Sequence, residues 1–130
     1  MKNTKKAIQH GFSLVEMLVV IAVIGIIAAI AVPNIGRIND AAKDAKNRRN
    51  AQNIASVYAS ANAAGHDFFN TDLATTVTDI VTGYTIDPAD EGPFAGTFFG
   101  VPNLSAIEQT AALQYLEIGA SGMLIYNGDA

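Results

Sequence analysis

Residues 11–33 read GFSLVEMLVVIAVIGIIAAIAVP. One charge, Glu16, stands in this run, and the next ionisable side chain is Arg37. From Met17 to Val32 all 16 residues are apolar or glycine. They would make about 24 Å of helix, short of a hydrocarbon core of ~30 Å. Adding Phe12–Glu16 gives 21 residues and about 32 Å. The segment therefore spans a bilayer only if Glu16 goes in with it. A lone carboxylate in a membrane helix costs a few kcal/mol at the centre and less near the interface. A plain anchor gives no reason for it.

The rest of the chain divides by charge. The 130 residues are 50% hydrophobic and contain no cysteine, which excludes disulfides and thiolate metal sites. Lys2, Lys5 and Lys6 precede the apolar run without an acid, and Arg37, Lys43, Lys46, Arg48 and Arg49 follow it against Asp40 and Asp44. From Asn50 onward there is no Lys or Arg, but nine acids: Asp67, Asp72, Asp79, Asp87, Asp90, Glu91, Glu108, Glu117 and Asp129. So acidic a domain argues against nucleic acid as a partner. Lysines before the run predict an amino terminus left in the cytoplasm and an exported carboxy-terminal domain.

Helical signals continue past Pro33, which should kink the helix rather than end it. Ile35, Ile38, Ala42 and Ala45, then Ile54, Val57, Tyr58 and Ala61, recur at spacings of three and four. Gly65 reads as the stop. A nearly continuous helix over Phe12–Ala64, roughly 80 Å long, would carry a lipid-suited first half and an amphipathic second half for a small domain to pack on. Beyond it, Thr71 or Asp72 can cap a helix with Leu73, Val77 and Ile80 on its apolar side, closed near Gly83. Residues 84–96, with Pro88, Gly92, Pro93 and Gly96, read mostly as loop. Thr97–Val101 is a short strand candidate, and Ser105 with Glu108 forms a capping box for a helix to about Leu113. Tyr115–Ile118 and Met123–Tyr126 read as a hairpin around Gly119–Gly122. Phe68, Phe69, Phe94, Phe98 and Phe99 are expected in the core of this small domain.

Gly11 followed by Phe12-Ser13-Leu14-Val15-Glu16, with Gly25 and Pro33 further on, resembles the signal of type IV pilins and type II secretion pseudopilins. The likeness covers about residues 6–33. It implies cleavage by a prepilin peptidase between Gly11 and Phe12, N-methylation of Phe12, and assembly through Glu16, Gly25 and Pro33. It implies four regions: a leader over 1–11, removed; a transmembrane and assembly helix over 12–33; its amphipathic continuation over 34–65; and a small globular head over 66–130. The fold expected is α+β, the pilin-like ladle with a long N-terminal helix on a small acidic head with a short β-hairpin. The protein would sit in the bacterial inner membrane, single-pass, with the head in the periplasm, and then in a periplasmic or extracellular filament. Partners would be further copies of itself or other pilin-like subunits, the peptidase, an inner-membrane assembly platform and membrane lipid.

Physical chemistry agrees with the likeness. Cleavage after Gly11 would make a cationic amine on Phe12, with an α-amino pKa near ~7.7–8. The helix would then carry a cation and, one turn on, a carboxylate. Each is costly alone in an apolar packing environment and much less so when paired. Helices stacked with an axial offset would bring Glu16 of one subunit to the amine of its neighbour, which sets a register. Gly25 and Pro33 weaken the helix between them. The likeness implies loss of helicity there in a filament; close packing at Gly25 and a simple bend at Pro33 remain the alternatives.

Other readings compete. A cleaved secretory signal with a site at Ala29–Ala31 leaves Glu16 without a use and places Pro33 just after the cut. A monomeric anchored binding module with an acidic head would also use the apolar run. No P-loop or dinucleotide fingerprint is present, and His66 reads as a surface residue, so no enzymatic activity is expected. Asp87, Asp90 and Glu91 in IDPADEG could hold Ca²⁺, a cofactor suggested by the calcium loop of major pseudopilins; a solvated turn is the simpler alternative. The lack of the Cys pair usual in type IV pilins, together with the small head, leans toward a pseudopilin.

Overall fold

Spacing of the apolar residues places the first helix where the sequence predicts it. In a computed structural model, which describes residues 11–128, α1 runs over Leu14–Ala63 and contains Pro33. It is followed by α2 (Leu73–Thr82), β1 (Tyr84–Thr85), β2 (Phe98–Phe99), α3 (Ala106–Leu113), β3 (Leu116–Ile118) and β4 (Leu124–Tyr126). The class is α+β, as expected. The chain forms two compact units that divide between Asp40 and Ala41, inside α1.

The unit before Ala41 is the first part of α1. Its large apolar side chains from Leu14 to Val32 are exposed. Among the described residues, α1 is the one helix long and apolar enough to cross a membrane. Gly25 has open space where a Cβ would stand. Pro33 supplies no N–H, so the Ala29 carbonyl lacks its usual helical donor.

The second unit has a core of its own. Ala51, Ile54, Tyr58 and Ala61 of α1, at spacings of three and four, are buried with Phe68, Val77, Ile80, Ala112, Tyr115, Leu116 and Leu124. The stripe predicted further back is different: Ile35, Ile38, Ala42 and Ala45 are exposed. The physical reason is size. The short elements after Gly65 pack on the later part of α1, where the Tyr115 hydroxyl donates to the Asp44 carboxylate.

Local signals explain each boundary. Gly65 sits at φ 94°, and the His66 N–H reaches Ala61 O at 2.9 Å while the Gly65 N–H reaches Asn62 O at 3.0 Å. These two bonds satisfy carbonyls that the helix end would leave bare. Asp72, one of the two predicted caps, closes the start of α2 by accepting from Thr75 N–H at 3.0 Å. Ser105 and Glu108 form the predicted capping box of α3. The hairpin pairs Leu116 with Tyr126, Glu117 with Ile125 and Ile118 with Leu124, and Gly122 at φ 76° closes its turn.

The stretch 84–96 is mostly loop, as read, and opens on the two-residue β1, which pairs Tyr84 with Phe99 and Thr85 with Phe98. One expectation needs correction. Of the five phenylalanines expected in the core, only Phe68 is buried and Phe99 packs partly against it, while Phe69, Phe94 and Phe98 are exposed. Phe98 lies instead across two glycines. A Cβ on Gly100 would stand 2.7 Å from Phe98 Cζ and 2.8 Å from Gly83 Cα, and one on Gly83 would enter the same ring. The ring covers backbone that neither glycine can shield.

A polar strap ties α1 to the elements packed on it. Lys46 Nζ lies 2.5 Å from Glu108 Oε1. Arg48 donates to Asp44 at 3.2 Å and stands 5.3 Å from the Tyr115 ring centroid. The Lys46 ammonium and, next, the Ser105 backbone N–H hold the Glu108 carboxyl down to about 2. The Tyr115 hydroxyl lowers Asp44. Both folded values lie below their unfolded ones, so this contribution is present above about 4.3 for Glu and 3.9 for Asp and is lost as pH falls from there toward about 2. Two predictions result. The thermal midpoint of the head, followed by circular dichroism in detergent, should fall between pH 5 and pH 2 (roughly,), and Glu108→Gln should flatten that fall. Gly100→Ala should lower stability in a denaturant titration by about 1–3 kcal/mol, with a smaller cost in a Phe98→Ala background.

Candidate functional site: the start of helix α1

Ser13 and Glu16 build the beginning of α1 together. Ser13 N–H donates to Glu16 Oε2 at 2.7 Å, and Glu16 N–H donates to Ser13 Oγ at 3.1 Å. The first helical bond, Met17 N–H to Ser13 O, follows at 3.2 Å. This is a reciprocal capping box in which two amides that the helix leaves without partners are satisfied. The carboxylate also sits at the positive end of the helix dipole. Part of the cost of Glu16 in an apolar run is thereby offset within its own turn.

Sequence reasoning found the Ser-x-x-Glu signal at Ser105–Glu108 and missed it at Ser13–Glu16. The signal is the same in both places, but at Ser13 it lies at the edge of an apolar run in which Glu16 reads first as a membrane charge.

Ahead of the box, Gly11 and Phe12 are outside the helix and exposed, Phe12 at 83%. Nothing lies within 4 Å of a Cβ built on Gly11. The peptide bond between them is open to an approaching protein. Phe12 directly precedes Ser13, so an amine created there would arise one residue from the amide that the Glu16 carboxylate holds. Gly25 and Pro33 lie further along the same helix. Lys2, Lys5, Lys6 and His10 lie outside the described residues.

The remaining candidates are apart from this site. Asp87, Asp90 and Glu91 are exposed. Asp87 is used locally: its Oδ1 accepts from Ala89 N–H at 2.9 Å and its carbonyl from Asp90 N–H at 3.0 Å. Among the described residues no three His, Asp or Glu side chains gather as a metal-holding group. His66 is half-buried rather than on the open surface. Its ring stacks on Tyr84 at 3.8 Å between centroids and meets the edge of Phe68 at 4.6 Å. The neighbouring Asp67 accepts from Tyr58 O–H and Phe69 N–H. Burial, and then Asp67, raise the Tyr58 hydroxyl, which stays a donor. These contacts hold residues 66–70 against the core.

Residues 6–32 match the family model described as the prokaryotic N-terminal methylation motif. The chain carries the prepilin-type signal that type IV pilins and pseudopilins share. No curated protein and no solved structure matches the chain.

The capping box makes a direct prediction. Ser13→Ala removes the acceptor for Glu16 N–H and should cost the helix start ~1 kcal/mol. Amide exchange of the first turn, measured by NMR in micelles, should quicken about fivefold. Unchanged exchange there would show that the box does not hold Glu16.

Proposed function

We propose that this protein is a structural subunit of a type II secretion pseudopilus, cleaved between Gly11 and Phe12, N-methylated on Phe12 and polymerised through α1. The observation that carries the reading is the match of residues 6–32 to the methylation motif, with Glu16 as the sole charge between Gly11 and Arg37. The exposed, unpartnered apolar length of α1 supports a helix that is covered first by lipid and then by other helices. The absence of cysteine and the small head favour a pseudopilin over a subunit of a type IV pilus.

In this account the apolar run holds the precursor in the inner membrane with its head in the periplasm. Cleavage converts the Phe12 amide nitrogen into an amine. Glu16 then has two possible partners, the amine of its own chain and that of a neighbour displaced along the helix axis. Pairing with the neighbour neutralises both charges without leaving either buried alone. The weakened turns at Gly25 and Pro33 let the helix adjust as subunits pack.

The amino terminus decides the matter. Protein isolated from membranes of cells that contain a prepilin peptidase should begin at Phe12 and carry one added methyl group by mass spectrometry. A chain that keeps Met1, or begins near Val32, would contradict the reading. Deletion of the gene should abolish secretion of folded cargo while leaving pili in place; loss of pili with intact secretion would assign the subunit to a pilus.

A further inference from the structure

Outside the amino-terminal apolar run, the most exposed large apolar side chain is Ile107 of α3, at 82%. With Ala106, Thr110 and Ala111 it forms an almost wholly apolar face. This face continues into a groove against α1 lined by Lys43, Lys46, Asn47, Ile107, Glu108 and Ala111. Lys43 and Lys46, three residues apart on α1, are neighbours on the helix surface and both line the groove. Lys46 is matched by Glu108, whereas Lys43 and Arg49 have no ion pair among the described residues. The groove is apolar with a cationic rim.

The same molecule carries a segment of the opposite character. Beyond β1, Ile86 N–H donates to Thr97 O at 3.0 Å and Gly96 N–H to Ile86 O at 2.9 Å. These bonds close the loop between them and present Asp87, Asp90, Glu91 and Phe94, all exposed, on its tip. None of its carboxylates has an ion pair among the described residues. Since no Lys or Arg occurs after Arg49, the cations that can complement this loop within the chain lie at or before that residue.

We propose that the groove of Lys43, Lys46 and Ile107 receives the acidic loop 87–94 of a second copy of this chain. Phe94 would cover Ile107, and Asp90 and Glu91 would face Lys43, the groove's lysine that Glu108 does not pair. Charge complementarity selects the occupant, and the contact joins two different surfaces. A contact between unlike surfaces that does not close on itself leaves one of each unused at the ends of every pair, and such a contact propagates as a filament. The inference rests on the filament-subunit reading and adds to it a head-to-head contact separate from the pairing at Glu16.

The cysteine-free chain permits a clean test. Full-length protein carrying Ile107→Cys and Phe94→Cys, processed in membranes, is oxidised and separated by size under denaturing conditions. A ladder of dimers, trimers and higher species is expected. Phe94→Cys alone, Ile107→Cys alone, and Ile107→Cys with Ser121→Cys should each stay largely monomeric. Lys43→Glu should remove the ladder, and adding Asp90→Lys with Glu91→Lys should restore it. A dimer from Ile107→Cys alone would overturn the proposal in favour of paired α3 faces. Monomer throughout, a ladder indifferent to charge reversal, or a cross-link to a foreign protein would also overturn it. The amino-terminal mass of the same samples shows separately whether processing occurred, so failure of this contact is distinguishable from failure of the filament reading.

Discussion

A carboxylate at the start of an apolar helix is the constraint on which the rest depends. Every other residue from Gly11 to Gly36 is uncharged, so Glu16 alone decides how that segment can be buried. In the chain as encoded, the carboxylate is held by the Ser13 amide, and the helix dipole favours it there. That arrangement suits a helix end at a membrane interface. It does not suit a helix surrounded by other helices, where an exposed cap would be stripped of water. A cation made next to Ser13 by the proposed cleavage would change the balance, because the charge could then be buried as half of a pair.

The second unit shows how a small domain manages with little core. Sixty-five residues follow Gly65, and they use the carboxy-terminal part of α1 as one wall, through Ala51, Ile54, Tyr58 and Ala61. Alanines in that stripe let the short elements approach closely. The rim is polar, with Asp44, Lys46 and Arg48 meeting Tyr115 and Glu108. Charge on this part of α1 therefore serves two ends: some of it fastens the helix to its own domain, and the rest, Lys43 and Arg49, stays available.

Much of the fold was legible because its boundaries rest on local chemistry. Gly65, Asp72, Gly83 and the Ser105–Glu108 box each act within a turn or two, and each was readable as such. What was not legible depends on distant partners. The stripe at Ile35 and Ile38 has the right period but nothing reaches it. Phe98 looked like core, yet it covers Gly83 and Gly100 from outside. β1 has only two residues and exists because Phe98 and Phe99 lie opposite. At the amino terminus, the processing motif was readable from Gly11, Phe12, Glu16, Gly25 and Pro33 together, while the use of Glu16 as a cap was hidden by its more conspicuous cost.

The central claim is that Glu16 trades its own cap for the amine of a neighbouring chain. A membrane-permeant carbodiimide, which joins a carboxylate to an adjacent amine without adding atoms, tests it directly on assembled protein. The account predicts a covalent dimer whose cross-linked peptide joins Glu16 of one chain to Phe12 of another, lost in Glu16→Gln. A link confined to a single chain, or none in assembled protein with a mature amino terminus, would contradict it.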